Sequence, residues 1–146
     1  MNIEFAQEQD INSWMDLLNL VKDSFPGLDI PEYKAALSKC ILNKEAIVAK
    51  MGNTVVGALS FSYSNAELNF LAVHPQYRKK GIAKELILKL FSLFSAGTEL
   101  SVITYREGDL QGIYARQLYQ RMGFCYGELL TMFDYPCQRM IYTVKR

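Results

Sequence analysis

A basic segment in the middle of the chain has residue types and spacing suited to binding a phosphorylated ligand. It lies between a strand that ends at Val73 and a helix that begins near Gly81, and Pro75 ends the strand because proline has no N–H. The first turn of a helix carries unpaired N–H groups and the positive end of the helix dipole, so it attracts anions. Gly81 lets an anion approach the backbone closely. The segment therefore predicts a site for phosphate groups.

Four basic side chains lie within seven residues around this glycine: Arg78, Lys79, Lys80 and Lys84. Because the whole chain has a net charge of only +1, this clustering is a local feature, and it suits a ligand with several phosphates. The alternative interpretation is a solvated basic loop before an amphipathic helix, which is the usual role of a basic run. The spacing matches neither Gly-x-x-x-x-Gly-Lys-Ser/Thr nor Gly-x-Gly-x-x-Gly.

Length and composition exclude several classes of protein. The 146 residues correspond to one domain, residues 1–146, and half of them are hydrophobic. No apolar run approaches the roughly 18 residues that span a bilayer, and the acidic N-terminus is not a signal peptide. The net charge does not favour binding to nucleic acid or to a membrane. Three widely spaced cysteines, an odd number, predict reduced thiols in the cytoplasm.

The elements that position the basic segment can be predicted from hydrophobic spacing and from turn residues. Asp10 is a suitable cap for the first helix, Pro26-Gly27 ends it, and Pro31 is suited to the first position of the second helix. Two tight turns join three consecutive strands in an antiparallel meander. The predicted strands are 2–6, 46–50, 55–63, 67–73, 100–105, 125–132 and 139–144, and the predicted helices are about 11–21, 31–41, 81–95 and 110–122. The order β-α-α-β-β-β-α-β-α-β-β predicts a mixed α/β (α+β) fold with a mostly antiparallel sheet and about four helices.

Two segments of the sequence resemble motifs of one enzyme family. Val73-His74-Pro75-Gln76-Tyr77-Arg78-Lys79-Lys80-Gly81-Ile82-Ala83 is similar to the acetyl-CoA signature Arg/Gln-x-x-Gly-x-Gly/Ala of the GNAT (GCN5-related N-acetyltransferase) family. Ala115-Arg116-Gln117-Leu118-Tyr119-Gln120-Arg121-Met122-Gly123-Phe124 resembles the family's Ala-x-x-x-Tyr-x-x-x-Gly-Phe segment. The order of elements agrees with that fold. One departure is Gly112, where the family often has an asparagine that contacts the pantetheine arm.

The resemblance implies that acetyl-CoA binds as cosubstrate, with no metal. The pyrophosphate would lie on backbone amides from about Lys79 to Lys84, and the pantetheine would run beside the strand Leu71–Val73. An N–H of Leu71 or Val73 would face the acetyl oxygen. The cofactor-binding residues implied in this way are Leu71, Ala72, Val73, Arg78, Lys79, Lys80, Gly81, Ile82, Ala83 and Lys84.

Two catalytic residues are also implied by the resemblance. Tyr119 corresponds to a tyrosine that related enzymes place near the sulfur of CoA, where it acts as an acid; its alternative role is a packed aromatic side chain. Glu67 matches a glutamate that some family members use as the base. Strand alternation predicts that Glu67 shares one face with Leu71 and Val73, and its alternative role is a solvated side chain. His74, the only histidine, has a positional rather than a catalytic role.

The acceptor is expected to be a primary amine of a small molecule or of a protein. Residues 22–32 and 130–139 are expected to shape its site, where Asp23, Asp29, Glu32 and Asp134 would attract a cation or be ordinary surface residues. Two other functions stay open: a non-catalytic acyl-CoA-binding sensor or regulatory module, and a nucleic-acid or partner-binding domain that uses the basic segment. A homodimer, the commonest assembly, would pair the last strands.

Overall fold

A computed structural model describes residues 1–25 and 27–145 of the chain. Pro26, which was predicted with Gly27 to end the first helix, lies outside the described residues, as does Arg146. Among the described residues, seven strands form one sheet and four α-helices flank it. The elements are β1 (Asn2–Phe5), α1 (Ile11–Val21), α2 (Ile30–Leu42), β2 (Ala46–Met51), β3 (Thr54–Ser62), β4 (Glu67–Val73), α3 (Ile82–Ser92), β5 (Glu99–Tyr105), α4 (Ile113–Arg121), β6 (Cys125–Met132) and β7 (Tyr135–Thr143).

The strands lie in the order β1-β2-β3-β4-β5-β7-β6. Every neighbouring pair is antiparallel except β4 and β5, which are parallel. The predicted element order, the antiparallel meander from β2 to β4 and the mostly antiparallel mixed sheet are therefore confirmed.

Two hydrophobic cores cover the two faces of the sheet. Helices α3 and α4 cover one face, where Leu86, Ile87 and Leu90 at helical spacing pack against residues from β2, β3, β4, β5 and β7. Helices α1 and α2 cover the other face, and the indole of the fully buried Trp14 donates a hydrogen bond to the Tyr33 hydroxyl at 2.8 Å. The buried strand residues of this second core come only from β2, β3 and β4. The second core therefore buries no residue of β5, β6 or β7.

Several predicted boundaries differ from the structure. Asp10 lies at the N-cap position of α1, but its side chain makes no capping hydrogen bond. Its carboxylate instead accepts a hydrogen bond from the Gln7 amide at 2.8 Å and pairs with Lys50 at 2.9 Å. Helix α2 begins one residue before Pro31, and α4 begins at Ile113 because the chain from 106 to 112 forms a loop. β7 begins at Tyr135 rather than at 139, since it pairs with β6 up to the turn.

Candidate active site

A cleft opens in the middle of the sheet where β4 and β5 separate. The two strands pair only at Glu67–Ser101 and Leu68–Val102. Beyond these two pairs, the rest of β4 and of β5 have no partner across the gap. Such a split leaves backbone hydrogen-bonding groups of β4 unused inside the sheet. The cleft is therefore suited to an extended ligand that lies along β4.

The backbone groups of β4 that face this cleft can be identified from the ladder with β3. The His74 amide donates to the Val56 carbonyl at 2.8 Å. Since hydrogen-bonding direction alternates along a strand, the residues two and four positions before His74 also direct their N–H and C=O groups to β3. The peptide groups of Leu71 and Val73 point the opposite way, into the cleft. These are the two residues whose N–H groups were predicted to face an acyl oxygen.

The loop from 78 to 84 is a row of free amides. Among the described hydrogen bonds, no amide from Arg78 to Lys84 acts as a donor, and α3 has no side-chain cap. Gly81 has φ = +79°, and nothing lies within 4 Å of the position that a Cβ would occupy there. The loop therefore offers several N–H groups and the positive end of an 11-residue helix to an open space. Donors of this kind are suited to an anionic group such as a diphosphate.

The basic side chains of this loop are exposed and available to an anionic ligand. In the described residues, none of Arg78, Lys79, Lys80 and Lys84 forms an ion pair. The Lys80 ammonium lies 5.8 Å from the centre of the Tyr77 ring. His74 fixes the start of the loop, because its Nδ1 accepts a hydrogen bond from the Gln76 amide at 3.1 Å. This contact supports the positional role that was predicted for His74.

The other residues predicted to bind the cofactor lie around the cleft and the loop. Leu71 and Val73 are half-buried against the core under α3 and α4. Ala72 is buried in the core under α1 and α2, so only its backbone can reach a ligand in the cleft. Ile82 is also buried, whereas Ala83 is partly exposed in the first turn of α3.

Tyr119 is buried on the α3–α4 side of the sheet, with 6% of its surface exposed. Its ring packs 5.5 Å from that of Phe124. Burial raises the pKa of Tyr119 to about 12, so the phenol is protonated at neutral pH. Its hydroxyl forms no hydrogen bond with the described residues. Every fully buried side-chain oxygen in that part of the chain has a partner, so the hydroxyl is not fully buried. The hydroxyl therefore keeps contact with solvent and can donate a hydrogen bond to a ligand.

Glu67 lies at the apex of the cleft, but the prediction that it shares a face with Leu71 and Val73 is wrong. Ser60 pairs with Phe70 and Phe61 pairs with Leu68, so Asn69 is an extra residue in β4. This bulge shifts the alternation by one residue. Leu68 packs in the core under α3 and α4, and Glu67 therefore points to the opposite face, where α1 and α2 lie.

Two side chains that were not predicted as site residues, Arg139 and Asn69, contact Glu67, and Arg139 also contacts Ser101. Arg139 Nη1 lies 3.1 Å from Glu67 Oε2 and 3.1 Å from Ser101 Oγ, and Asn69 Nδ2 donates to Glu67 Oε1 at 2.8 Å. Arg139 Nε also binds Glu128 at 2.8 Å. The hydrogen bonds that Arg139 donates, first to Glu128 and then to Glu67, raise the pKa of its guanidinium. The only sequence signal for this cluster was a charged residue inside a strand.

Position 112, where the sequence departs from the resembled pattern, has little room for a side chain. It has φ = +71°, and a Cβ at this position would lie 2.6 Å from Cδ2 of Tyr105. The Tyr105 ring packs edge-on against Tyr135 at 5.3 Å, and the Tyr135 hydroxyl donates to Asp109 at 2.8 Å. The aromatic ring thus occupies the space that a side chain at 112 would need.

Further observations on the described residues concern metal ligands, membrane spans, cysteines and cavities. Residues 1–25 and 27–145 contain no group of three or more His, Cys, Asp or Glu side chains placed to hold a metal ion. None of the helices in that part is long and apolar enough to cross a bilayer. All three cysteines are free thiols. Two open cavities, of about 200 and 420 Å³, lie beside α4 and β6 rather than at the cleft.

A split sheet with a row of free amides at the following helix is the arrangement of an acyl-CoA-dependent N-acetyltransferase fold. The Acetyltransferase (GNAT) family model matches residues 14–124, so the chain belongs to the GNAT family. No curated protein is similar enough in sequence to match the chain.

Solved structures with the same fold are distant in sequence. Ard1 from Thermoplasma volcanium has a TM-score of 0.79 at 17% identity, covering 99% of this chain and 98% of its own. An aminoglycoside 6'-N-acetyltransferase complexed with coenzyme A has a TM-score of 0.76 at 16% identity, covering 100% and 98%. yncA from Salmonella typhimurium, solved with its cofactor acetyl-CoA, has a TM-score of 0.72 at 16% identity, covering 100% and 95%.

Proposed function

We propose that the chain is a single-domain N-acetyltransferase that moves the acetyl group of acetyl-CoA to a primary amine by direct attack in a ternary complex. The observation that carries the proposal is the run of seven amides, from Arg78 to Lys84, that donate no described hydrogen bond beside a cleft in the sheet. Acetyl-CoA supplies the acetyl group as a thioester. The free thiols fit a reducing compartment, the cytoplasm.

The cofactor's charged and extended parts fit separate features of the chain. The free amides at the start of α3 would bind the pyrophosphate, with Arg78, Lys79, Lys80 and Lys84 adding positive charge. The pantetheine amides would pair with the free peptide groups of β4 in the cleft. The N–H of Leu71 or Val73 would stabilise the negative charge that develops on the acyl oxygen, because it is fixed in a strand and points into the gap.

Glu67 is the proposed base. A lysine-like amine has a pKa near about 10.4, so a proton must be removed before it can attack. Glu67 lies at the apex of the cleft on the α1–α2 face, and its two oxygens accept one hydrogen bond each from Arg139 and Asn69. A carboxylate has about four acceptor positions, so the remaining ones can take a proton from the amine, directly or through water.

Tyr119 is proposed to assist the leaving sulfur from the opposite face of the sheet. Its raised pKa of about 12 keeps the phenol protonated, so it can donate a hydrogen bond to a developing thiolate. A thiol has a pKa near about 8.5, so complete transfer of the phenolic proton to the thiolate would be uphill. Stabilisation by a hydrogen bond is therefore the role that the burial of Tyr119 favours.

Electrostatics favour a cationic acceptor on the face opposite to the cofactor loop. Residues 22–32 and 128–139 carry five carboxylates against two basic side chains, a net charge of −3. Residues 78–84 carry four basic side chains and no carboxylate. This division would attract a phosphorylated cofactor and a cationic amine to different sides of the cleft. An aminoglycoside acetyltransferase shares the fold, but at 16% identity its acceptor does not transfer to this chain.

The test combines ligand binding with turnover. Acetyl-CoA at about 100 times its dissociation constant should stabilise the protein by about 2.7 kcal/mol in a thermal unfolding assay. Thiol release is then followed with spermidine, a lysine-containing peptide and an aminoglycoside as acceptors, with mass spectrometry of the products. Direct attack predicts intersecting initial-velocity lines, whereas parallel lines would indicate an acyl-enzyme. Stabilisation without thiol release for any amine would favour the non-catalytic acyl-CoA-binding module, which the departure at Gly112 keeps open.

A further inference from the structure

Arg139 connects four strands at the apex of the cleft. It belongs to β7, and its guanidinium contacts Glu67 of β4, Ser101 of β5 and Glu128 of β6. Glu67 and Ser101 form one of the two residue pairs that join β4 to β5. The guanidinium therefore spans the point at which the cleft begins, on the face where the acceptor is proposed to enter.

The two carboxylates that Arg139 contacts differ in their exposure and in the number of hydrogen bonds they accept. The side chains of Arg139 and Glu67 are 25% and 22% exposed, whereas that of Glu128 is 65% exposed. Arg139 contacts Glu67 through Nη1 alone, and this single charge-assisted hydrogen bond gives the carboxylate a preferred direction. Because Asn69 holds the other oxygen of Glu67, this carboxylate has two anchors and a defined orientation. Glu128 has one described anchor, which is Arg139.

We propose that Arg139 is a positioning residue that holds the Glu67 carboxylate toward the acceptor side of the cleft apex. The inference rests on the proposed role of Glu67 as the base and adds a residue that acts through it. Without the guanidinium, Glu67 keeps only the hydrogen bond from Asn69 and can leave the acceptor path by rotation about its side-chain bonds. A displacement of about 1 Å from a working geometry costs on the order of 100-fold in rate.

The alternative role of Arg139 is a structural cross-link between strands. The two roles differ in their coupling to Glu67. A positioning residue has no effect once the group that it positions is removed, whereas a cross-link contributes to stability in either background. A double-mutant cycle on turnover therefore distinguishes them.

The experiment compares Arg139→Gln, Arg139→Lys, Glu67→Gln and the double variant Glu67→Gln/Arg139→Gln. The matched control is Arg106→Gln, because Arg106 also links neighbouring strands, through the carbonyls of Cys137 and Leu130, but contacts no carboxylate. The measurements are kcat and KM with a lysine-containing peptide, the slow hydrolysis of acetyl-CoA without an amine, and the thermal shift caused by acetyl-CoA.

We expect Arg139→Gln to lower kcat 10- to 100-fold while the shift with acetyl-CoA stays unchanged. Arg139→Lys should recover part of the loss, since an ammonium can still reach one oxygen of Glu67. In the Glu67→Gln background, Arg139→Gln should have no further effect on peptide acetylation or on hydrolysis. The control should keep the wild-type kcat.

Two results overturn the proposal for Arg139: losses that multiply in the double variant, or an equal loss of rate in Arg106→Gln. If Glu67→Gln keeps the wild-type rates of both reactions, Glu67 is not the base and Arg139 has nothing to position, so both ideas fail. If the peptide is not acetylated, the role of Arg139 is tested by the rate of acetyl-CoA hydrolysis alone. Equal hydrolysis rates in all variants then overturn the proposal.

Discussion

Replacing Gly81 by aspartate should separate cofactor binding from folding. Gly81 precedes α3 with φ = +79° and an open space in front of it. A non-glycine residue in this left-handed conformation costs roughly 1–2 kcal/mol, although aspartate tolerates it better than most residues. Aspartate is also a preferred residue at the start of a helix, which offsets part of this cost. We therefore expect the free energy of unfolding to change by less than about 1 kcal/mol.

The same substitution should strongly weaken acetyl-CoA binding. The new carboxylate would occupy the space in which we propose the pyrophosphate binds. Two like charges at about 5 Å repel by about 0.8 kcal/mol even in bulk water, and a diphosphate carries about two such charges. The loss should therefore reach about 2 kcal/mol or more, which corresponds to an affinity at least about 30-fold weaker. At an acetyl-CoA concentration of about 100 times the wild-type dissociation constant, the stabilisation should fall from about 2.7 to about 0.9 kcal/mol.

The matched control is Gly97→Asp. Gly97 lies beyond the other end of α3, also has a positive φ (+91°), and nothing lies within 4 Å of its Cβ position. The control therefore has the same strain and the same added charge, away from the proposed phosphate site. Thermal unfolding and isothermal titration calorimetry with acetyl-CoA measure both variants. A Gly81→Asp variant that binds acetyl-CoA as tightly as Gly97→Asp would refute the placement of the pyrophosphate.

Three further predictions concern the remaining parts of the site. Tyr119→Phe should keep acetyl-CoA affinity but lower kcat about 10-fold or more, since the hydrogen bond to the leaving sulfur is lost. Stopped-flow measurement of thiol release gives kcat, and an unchanged value would limit the role of Tyr119 to packing. Because the folded-state pKa of Tyr119 is raised from 10.0 to about 12, its contribution to stability is complete below about pH 10 and is lost as the pH rises through 12. Denaturant titrations at pH 9 and 11 should therefore show a smaller decline for Tyr119→Phe than for wild type, and equal declines would contradict the assignment. Gly112→Asn should destabilise the fold by about 1–3 kcal/mol through its clash with Tyr105. Combining it with Tyr105→Ala should relieve most of that destabilisation, whereas melting-temperature losses that add in the double variant would contradict the clash.

The order of elements could be predicted because each element has its own local pattern. The stripe of α3, with Ile87, Leu90 and Phe91, follows helical spacing, and all three residues are buried in the structure. The two turns around β3 have local signals as well. The free amides before α3 follow from a proline, a glycine and a helix, all visible in the sequence. These features depend on neighbouring residues only.

What could not be predicted depends on pairing between distant residues. The bulge at Asn69 changes the face of Glu67, and it is visible only in the register with β3. The contact of Arg139 with Glu67 joins residues 72 positions apart. Asp10 lies at the cap position of α1, but its carboxylate binds Lys50 of β2 instead of the helix backbone. In each case, tertiary pairing overrode or completed a local preference.

The two-pair junction between β4 and β5 also has a mechanical consequence. Strands β1–β4 and strands β5–β7 are joined in the sheet by two pairs only, but the core under α3 and α4 packs against both groups of strands. The buried core on the other face is confined to the first group of strands, and there the contacts of Arg139 with Glu67 and Ser101 bridge the junction. We therefore expect less apolar packing to resist separation of the two groups of strands on the α1–α2 face than on the α3–α4 face. A ligand that bonds to the backbone along β4 would stiffen this junction and couple the unfolding of the two groups of strands.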